Sequence, residues 1–366
     1  MAVTLIEDIV QCIEELASPN YQESYDNAGL IIGNSTDPCT GVLLSLDVTE
    51  AVVNEAIENG CNLIIAHHPL IFSPLKRITG KSYVERCIIK AIRHNISIYA
   101  AHTNLDNIYA GVNQEIANRL GLINTKILLI KKNVLKKLVT FVPSSHLEQV
   151  QNALFQAGCG HIGNYDSCSF FTDGKGTFRG NEMTNPFVGE KGKLSIEPEI
   201  RLETIFEAHK EKQVINALLK AHPYEEVAYD VYLLENYHPK VGSGMIGEFQ
   251  EAIDIKSFLQ KVKEVFGQPM IRYTAYDRPI QKVALCGGSG SFLLSPAIQQ
   301  GADAFITADF KYHQFFDADG KIMIVDIGHY ESEQFTPEIF YRIIKNKFPN
   351  FAVLLSKINT NPIKYF

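Results

Sequence analysis

The sequence predicts an α/β protein in which two pseudo-repeated α/β halves form one unit, with an inserted ferredoxin-like α+β domain. Three observations support this: strands alternate with helices in both outer segments, the order of elements repeats, and the middle segment has a different order. The 366 residues, 46% hydrophobic and 20% charged, are enough for two or three domains. The predicted boundaries are 1–128 for the first half, 129–238 for the insertion and 239–366 for the second half.

The N-terminal residues predict an amphipathic helix rather than a signal peptide. An early acidic pair accompanies apolar residues at helical spacing. No apolar run of the chain approaches the ~18 residues that a membrane span needs, so no membrane partner is expected. The apolar positions of this helix are Leu5, Ile6, Ile9, Val10, Ile13 and Leu16.

Both outer segments contain the pattern strand, helix, Gly-containing turn, strand. In the first half the second strand of this pattern ends at His67. In the second half the corresponding strand leads through a polar loop to His313. The matching strands are 42–47 and 63–66 in the first half, and 283–286 and 304–306 in the second.

A third strand in each half is followed by a histidine and, four residues later, a carboxylate. These pairs are His102 with Asp106 and His329 with Glu333. On a helical turn, positions i and i+4 lie on one face, so both side chains of a pair could reach one ion. In α/β sheets, polar sites gather beyond the carboxyl ends of strands, which is where all these residues lie.

His67 and His68 directly follow a buried strand, and with the two His-x-x-x-carboxylate pairs they predict a site for one or two metal ions. Imidazole and carboxylate are the ligands of zinc, manganese, iron, cobalt or nickel. Simpler explanations exist for each element. One histidine could be packed and the other exposed, Asp106 could cap a helix, and Glu333 could be favoured by a helix dipole. Because adjacent side chains diverge in an extended segment, the two neighbouring histidines would serve two ions, or one after a local bend.

Three other segments are secondary candidates. The glycine-rich loop 287–290 could cradle a phosphate, but it lacks the residues of a nucleotide P-loop, and a tight turn explains it equally well. Lys311 and His313 could serve as a proton donor or an anion contact, or His313 could be structural. Asp26 and Asn27 could simply shape the turn before a strand.

Charge, cysteine content and motifs argue against several functional classes of protein. The net charge of −7 gives no broad basic surface for nucleic acid or an anionic membrane. The seven cysteines are odd in number and include no C-x-x-C pair, which is typical of reduced thiols in a cytoplasmic protein. No G-x-S-x-G elbow is present, so serine or cysteine nucleophilic catalysis has little support.

The middle segment predicts the order β-α-β-β-α-β, which is ferredoxin-like. A polar, glycine-rich stretch at 173–199 predicts a long excursion. Four histidines of the middle segment lie in unrelated contexts and are assigned surface or packing roles: His146, His161, His209 and His222.

Five blocks, taken together and in this order, resemble the signature blocks of the NIF-three-like family, whose members are widely labelled GTP cyclohydrolase 1 type 2 homologues. The resemblance covers about residues 1–125 and 240–366, and 221–226 (AHPYEE) is similar to the PII/CutA-like inserted domain of the longer bacterial members. One departure is Tyr25, where the family usually has Trp. The blocks are 25–30 (YDNAGL), 66–72 (AHHPLIF), 101–106 (AHTNLD), 307–313 (TADFKYH) and 328–333 (GHYESE).

The resemblance implies a two-metal centre in a cleft between the halves and a ring-shaped homohexamer. Two residues outside the implied ligand set, His102 and His313, are the candidates for proton transfer or for support of the ligands. Carried over residue by residue, the implied ligands are His67, His68, Asp106, His329 and Glu333.

The expected function is that of a cytoplasmic, divalent-metal-dependent hydrolase with two metal ions per subunit, whose identity the sequence leaves open. The family label suggests a nucleotide such as GTP as the small-molecule substrate, although a phosphoester or a cyclic amide would suit the same centre. The alternative is a non-catalytic metal-binding regulatory or scaffold protein whose inserted domain senses a small ligand.

Overall fold

The computed structural model describes residues 3–267 and 270–366. The chain divides into two compact units, one made of the residues up to 130 and from 240 onward, the other of residues 131–239. Within the described residues there are eleven α-helices and fifteen strands in three sheets, so the predicted mixed α/β class is confirmed. In this part of the chain, none of the helices combines the length and the apolar character needed to cross a bilayer.

The bounds of the elements are as follows. The α-helices are α1 (Ile6–Leu16), α2 (Glu50–Glu58), α3 (Tyr83–Arg93), α4 (Thr103–Asp106), α5 (Val112–Leu120), α6 (Leu147–Gln156), α7 (Glu211–Ala221), α8 (Ile255–Phe266), α9 (Leu294–Gln299), α10 (His329–Glu333) and α11 (Thr336–Lys347). The strands are β1 (Gly29–Ile32), β2 (Val42–Ser45), β3 (Leu63–Ala66), β4 (Ser97–Ala100), β5 (Ile123–Ile130), β6 (Leu135–Val142), β7 (Ser169–Phe178), β8 (Ser195–Glu207), β9 (Tyr229–Leu233), β10 (Gly242–Ile253), β11 (Arg272–Tyr273), β12 (Ile280–Leu285), β13 (Ala304–Thr307), β14 (Met323–Asp326) and β15 (Val353–Leu355).

The first unit contains two sheets, one with four parallel strands and one with three. The first sheet has the order β1-β4-β3-β2-β15, in which β4, β3, β2 and β15 are parallel. The second has the order β11-β14-β13-β12-β10-β5, in which β12, β13 and β14 are parallel. β2, β3, β4, β13 and β14 are buried at every position. Burial on both faces of a parallel sheet explains why these strands have nearly continuous apolar sequences.

The two halves of the first unit complete each other's sheets. β5 precedes the second unit in the chain but pairs with β10 in the second sheet. β15, near the end of the chain, pairs in parallel with β2 in the first sheet. The two pseudo-repeats therefore fold as one body rather than as two independent domains.

Local sequence accounts for the helices of the first sheet. α1 buries Ile6, Ile9 and Ile13, as the helical spacing predicts, and leaves Leu16 at the exposed edge. Thr49 begins α2 by accepting a hydrogen bond from the backbone N–H of Val52, and Ser82 caps α3 in the same way. Such caps satisfy backbone donors that the helix itself cannot pair.

The second unit contains, in chain order, β6, α6, β7, β8, α7 and β9, and its antiparallel sheet has the order β7-β8-β6-β9. Its core joins sheet residues such as Leu138 and Leu202 to Leu154 of α6 and Leu218 of α7. The excursion between β7 and β8 is shorter than predicted, because the two strands remain paired from Ser169 opposite Thr204 to Phe178 opposite Ser195.

Candidate metal centre

His67 and His68 begin where β3 ends, at a bend that turns both rings the same way. The backbone N–H groups of both residues donate to the carbonyl oxygen of Leu46, at 3.1 and 3.0 Å. The chain is therefore not extended here, and the two ring centroids lie only 5.0 Å apart. The local bend, which was one of the two alternatives from sequence, brings both imidazoles into one cluster.

The first half adds His102 and Asp106, which precede and end the single turn of α4. The ring of His102 lies 5.3 Å from that of His67 and 5.4 Å from that of His68. Asp106 directs Oδ1 to within 3.6 Å of His67 Nε2. This short helix therefore delivers one imidazole and one carboxylate to the cluster.

The second half adds α10, which starts after Gly328 at a φ of 91°. His329 Nε2 lies 3.2 Å from Glu333 Oε2, as expected for i and i+4 on one helical turn. The Glu333 carboxylate is almost fully buried. It also lies 3.0 Å from His68 Nε2 and 3.7 Å from His67 Nε2. Glu333 is thus the carboxylate that three imidazoles share.

The six side chains form three overlapping groups whose potential ligand atoms lie within 4.8 Å of one another. Each group could hold a metal ion, and all five predicted ligands together with His102 belong to at least one of them. The groups are His67, His68 and His102; His68, His329 and Glu333; and His67, Asp106 and Glu333.

Every imidazole of the cluster has its outer nitrogen, Nδ1, within 2.6 to 2.8 Å of an oxygen acceptor. A proton on Nδ1 satisfies each of these contacts and leaves the inward Nε2 with a free lone pair. Hydrogen bonds of this kind fix the tautomer and the orientation of metal-binding histidines. The pairs are His67 with the Ala101 carbonyl, His68 with Asp47, His102 with Asp26 and His329 with Asp309.

Two polar atoms at the centre have no hydrogen-bond partner among the described residues, although both are buried. They are His67 Nε2 and Asp106 Oδ1, 3.6 Å apart. Buried polar groups without partners are costly and rare. A divalent cation between them would satisfy both, because each offers a lone pair. The donor set and these unpartnered atoms therefore fit a metal ion.

Hydrogen bonds to carboxylates raise the pKa values of the two imidazoles nearest Glu333, those of His68 and His329, in the metal-free protein. Burial lowers the pKa of His68, but hydrogen bonds to Asp47 and Glu333 outweigh it and raise that pKa to about 9. Burial acts in the same direction on His329, and the bonds to Asp309 and Glu333 raise its pKa to about 11. Since the two Nε2 atoms lie 3.3 Å apart, a cation placed there would displace at least one proton.

The two carboxylates of the cluster are shifted in opposite directions. Burial raises the pKa of Asp106 above its usual range, and the imidazole of His67 only partly opposes this. Burial also acts to raise the pKa of Glu333, but the surrounding imidazoles, His67 first, hold it well below its usual value. Glu333 is therefore the carboxylate that is held ionised in the absence of metal.

His313 does not belong to any of the three groups. It lies in a 3-10 helix, Tyr312–Ala318, where it is exposed and its ring lies next to those of Tyr312 and Phe316. Asp309, two residues after β13, comes close to the cluster instead, through His329. The sequence repeat matches β13 with β3, but it does not determine the length or direction of the loop that follows each strand.

The glycine-rich loop 287–290 uses its backbone N–H groups internally. The amides of Gly287, Gly288 and Gly290 donate to side chains of the protein, so the phosphate-cradle interpretation loses its donors. Glycine is needed at position 288, since φ is 59° and an added Cβ would come within 2.4 Å of Glu333 Oε1. The loop is a tight turn that lets the backbone approach Glu333 closely.

Sequence reasoning missed the role of the three aspartates that orient the histidines. Asp47 lies just beyond the carboxyl end of β2, and Thr360 donates to its second oxygen at 2.5 Å. Asp309 stands in the same place relative to β13. A polar residue just past a buried strand was the signal that identified His67, and the same signal could have identified both aspartates. For Asp26, the sequence indicates only a role in the turn before β1.

A sequence profile of the family described as Duf34/NIF3 (NGG1p interacting factor 3) matches residues 4–362. Relatives named GTP cyclohydrolase 1 type 2 homolog, from Halalkalibacterium halodurans and Bacillus subtilis, are 41% and 39% identical to this chain, and the alignments cover 98% of this chain and of each relative. The crystal structure of a Bacillus cereus protein related to NIF3 is similar over 100% of both chains, with a TM-score of 0.85 and 39% identity.

Proposed function

The chain belongs to the Duf34/NIF3 family, as its sequence blocks predict, and we propose that it is a metal-dependent hydrolase whose cluster holds two divalent ions. One observation carries the proposal. Four imidazoles are each held at Nδ1 by an acceptor, so their Nε2 atoms converge with two carboxylates. A merely structural histidine cluster would not need every ring fixed in the orientation that a metal requires.

In this proposal one ion is held by His68, His329 and Glu333, and the other by His67, Asp106 and Glu333. Glu333 would be the residue shared by both ions, because it alone of the two carboxylates belongs to both groups. When bound, a pair of divalent ions supplies Lewis acidity, which activates a water molecule and polarises the electrophile of a substrate. The residues present suit zinc, manganese, iron, cobalt or nickel.

His102 is the residue that we assign to proton transfer. Asp26, whose carboxylate is completely buried, holds its Nδ1, and the ring remains partly accessible beside His67 and His68. Its Nε2 could accept a proton from the nucleophile or donate one to the leaving group. His313 is left out of this assignment because it is exposed outside the three groups.

An aromatic surface beside His102 supports a planar substrate. The ring of Phe72 lies 6.2 Å from that of His102, and Tyr25 lies 6.4 Å from Phe72. Tyr25 is 63% and Phe72 50% exposed, so their faces are available for stacking on a flat ring. A nucleobase or a cyclic amide meets this description, in line with the name of the relatives.

The test is metal analysis followed by turnover. Protein loaded with each candidate ion should contain two ions per chain, with anomalous scattering at both groups, and should hydrolyse GTP, a phosphodiester or a cyclic amide. Protein that holds no ion after reconstitution would contradict the proposal. Two bound ions without turnover would favour the second candidate, a regulatory or scaffold protein, which the cavity in the second unit supports.

The finer architecture is also part of the proposal. We assign the second unit to a ferredoxin-like, PII/CutA-like domain on the order of its elements, with boundaries near 129 and 238. We further propose a cytoplasmic homohexamer on the family resemblance alone. Light scattering coupled to size exclusion should give six times the 41.0 kDa chain mass. A monomer or dimer at micromolar concentration would contradict it.

A further inference from the structure

The second unit contains a cavity of about 590 Å³ that the metal-centre proposal does not use. Its walls are formed by β7, by the end of β6, by part of β8, and by the segments 179–188 and 224–228. Cavities of ~300–1,000 Å³ are typical of small-molecule sites. All of the lining residues belong to the second unit, so the cavity is a feature of that unit alone.

Aromatic rings line one side of the cavity. The ring of Tyr224 lies 6.5 Å from that of Phe178 and 6.0 Å from that of Phe187. Phe187 is 52% exposed, which is unusual for a residue that only fills a core. His222 holds this wall in place, since its Nε2–H donates to the carbonyl oxygen of Phe141 and its Nδ1 accepts the backbone N–H of Tyr224.

A carboxylate lies among these rings. Glu199 on β8 lines the cavity and is only 9% exposed, and it accepts a hydrogen bond from the hydroxyl of Tyr224. On β7, Gly174 pairs with Glu199, and an added Cβ at Gly176, two residues further along, would come within 2.0 Å of Glu199 Oε2. Glycine therefore makes room for the carboxylate at this point.

Glu199 forms no ion pair with any residue of 3–267 or 270–366. Arg201, two residues along the strand, pairs instead with Glu203 at 2.8 Å. The other cations of the lining, Lys175 and Arg179, are exposed, as are its remaining carboxylates, Asp173, Glu225 and Glu226. A buried carboxylate that lacks a counter-charge is unfavourable, and a cationic ligand would relieve it.

We propose that this cavity binds a small organic cation, with an ammonium or guanidinium head on the aromatic faces and Glu199 as its counter-ion. Aromatic faces attract such cations through their quadrupole, and quaternary ammonium ligands are commonly bound in aromatic cages. A neutral molecule of the same shape loses both interactions. An anion is repelled by the negative charge of the Glu199 carboxylate. The site is thus selective for charge as well as for size.

The experiment measures binding by the intact chain with calorimetry and saturation-transfer NMR. The probes are choline, agmatine and 3,3-dimethylbutan-1-ol, which is the neutral isostere of choline. The variants are Glu199→Gln, which removes the charge and keeps the shape, and Phe187→Ala, which removes an exposed wall. Glu148→Gln, an exposed position of α6 away from the lining, is the matched control.

We expect saturable binding of choline or agmatine and none of the neutral isostere. Glu199→Gln should weaken binding roughly tenfold or more, Phe187→Ala roughly threefold to tenfold, and Glu148→Gln should not change it. Whether choline or agmatine binds more tightly decides between a quaternary ammonium and a guanidinium. Circular dichroism checks folding, and if Glu199→Gln unfolds the chain, Phe187→Ala decides.

Three outcomes would overturn the proposal: no saturable binding of either cation, equal binding of the neutral isostere, or cation binding whose affinity is unchanged in a folded Glu199→Gln or Phe187→Ala protein. None of these readouts depends on metal or turnover, so the result is independent of the proposed hydrolase activity.

Discussion

The two halves of the first unit bring the same His-x-x-x-carboxylate pattern to one cluster but use it differently. In the second half, His329 and Glu333 belong to the same potential ligand group. In the first half, His102 and Asp106 belong to different groups, and among the described residues Asp106 forms an ion-pair contact only with His67. A repeated sequence pattern therefore predicts where residues are delivered, and not which of them will share a ligand.

Side-chain length and burial explain the difference. Glu333 has one methylene more than Asp106, and from α10 it reaches His67, His68 and His329. Burial raises the pKa of Asp106, and the imidazole of His67 only partly opposes this rise. The second half thus supplies the ionised centre of the site, and the first half supplies most of the imidazoles.

The largest effect is expected from Glu333→Gln. The change leaves three Nε2 atoms without their shared carboxylate, so we expect both ions and all turnover to be lost together. Emission spectroscopy of the purified protein measures the metal content. Glu331→Gln, a buried glutamate on the same helical turn, is the matched control and should retain metal. Full occupancy and activity in Glu333→Gln would break the comparison.

A smaller effect is expected from Asp106→Asn. Asp106 belongs to one potential ligand group and Glu333 to two, so the variant should lose about one ion of the pair and keep the other. Metal titration followed by calorimetry should show one tight site in place of two. Complete loss of both ions would mean that the two carboxylates contribute equally, against the asymmetry described above.

The aspartates that orient the histidines should separate metal affinity from stability. Asp26 is buried and accepts bonds from His102, Asn27 and both N–H and O–H of Thr103, so Asp26→Asn should weaken metal binding and cost about 1–3 kcal/mol of unfolding free energy. Asp309 is 48% exposed with a φ of 60°, which Asn tolerates.

Asp309→Asn should therefore weaken metal binding by about 10–100-fold with little change in stability. Urea unfolding of the metal-free variants and competition with a chelator measure the two quantities. Equal losses of stability in both variants would contradict this distinction.

The smallest effect concerns the pH dependence of the metal-free protein. The pKa values of His68 and His329 are raised to about 9 and about 11, so their stabilising contacts are fully present below about pH 6.5. That stability is lost as the pH rises through 9 and then 11. Melting curves in chelator should show Tm falling by a few degrees between pH 8 and 10. Asp309→Asn should reduce the fall in Tm at the upper end of this pH range. Identical dependences of Tm on pH in the two proteins would contradict the role given to Asp309.

Much of the fold and the cluster follows from local sequence. The mixed α/β class and the helical turn of His329 and Glu333 depend on strand–helix alternation and on i,i+4 spacing, which neighbouring residues determine. The exchange of β5 and β15 between the sheets was not predictable, because it depends on pairing between residues as distant in the chain as Ile123 and Glu248, or Val42 and Val353.

Other features depend on loop geometry that composition does not encode. The sequence names His313 as a candidate for proton transfer, but the 3-10 helix Tyr312–Ala318 that carries it lies outside the three ligand groups. The cavity around Glu199 brings together residue types that are individually ordinary, so no motif marks it. Only the pairing of Gly176 with Glu197 and its neighbours places these groups side by side.

The contact between Thr360 and Asp47 has a consequence for biosynthesis. These residues are 313 positions apart, yet Asp47 is the group that holds His68, and the strand beside it, β2, gains its outer neighbour only from residues 353–355. On a ribosome, His67 and His68 emerge long before Thr360, which donates a hydrogen bond to Asp47. Translation must be nearly finished before the first imidazole pair acquires its final setting, so chains that terminate early should be released with an immature centre.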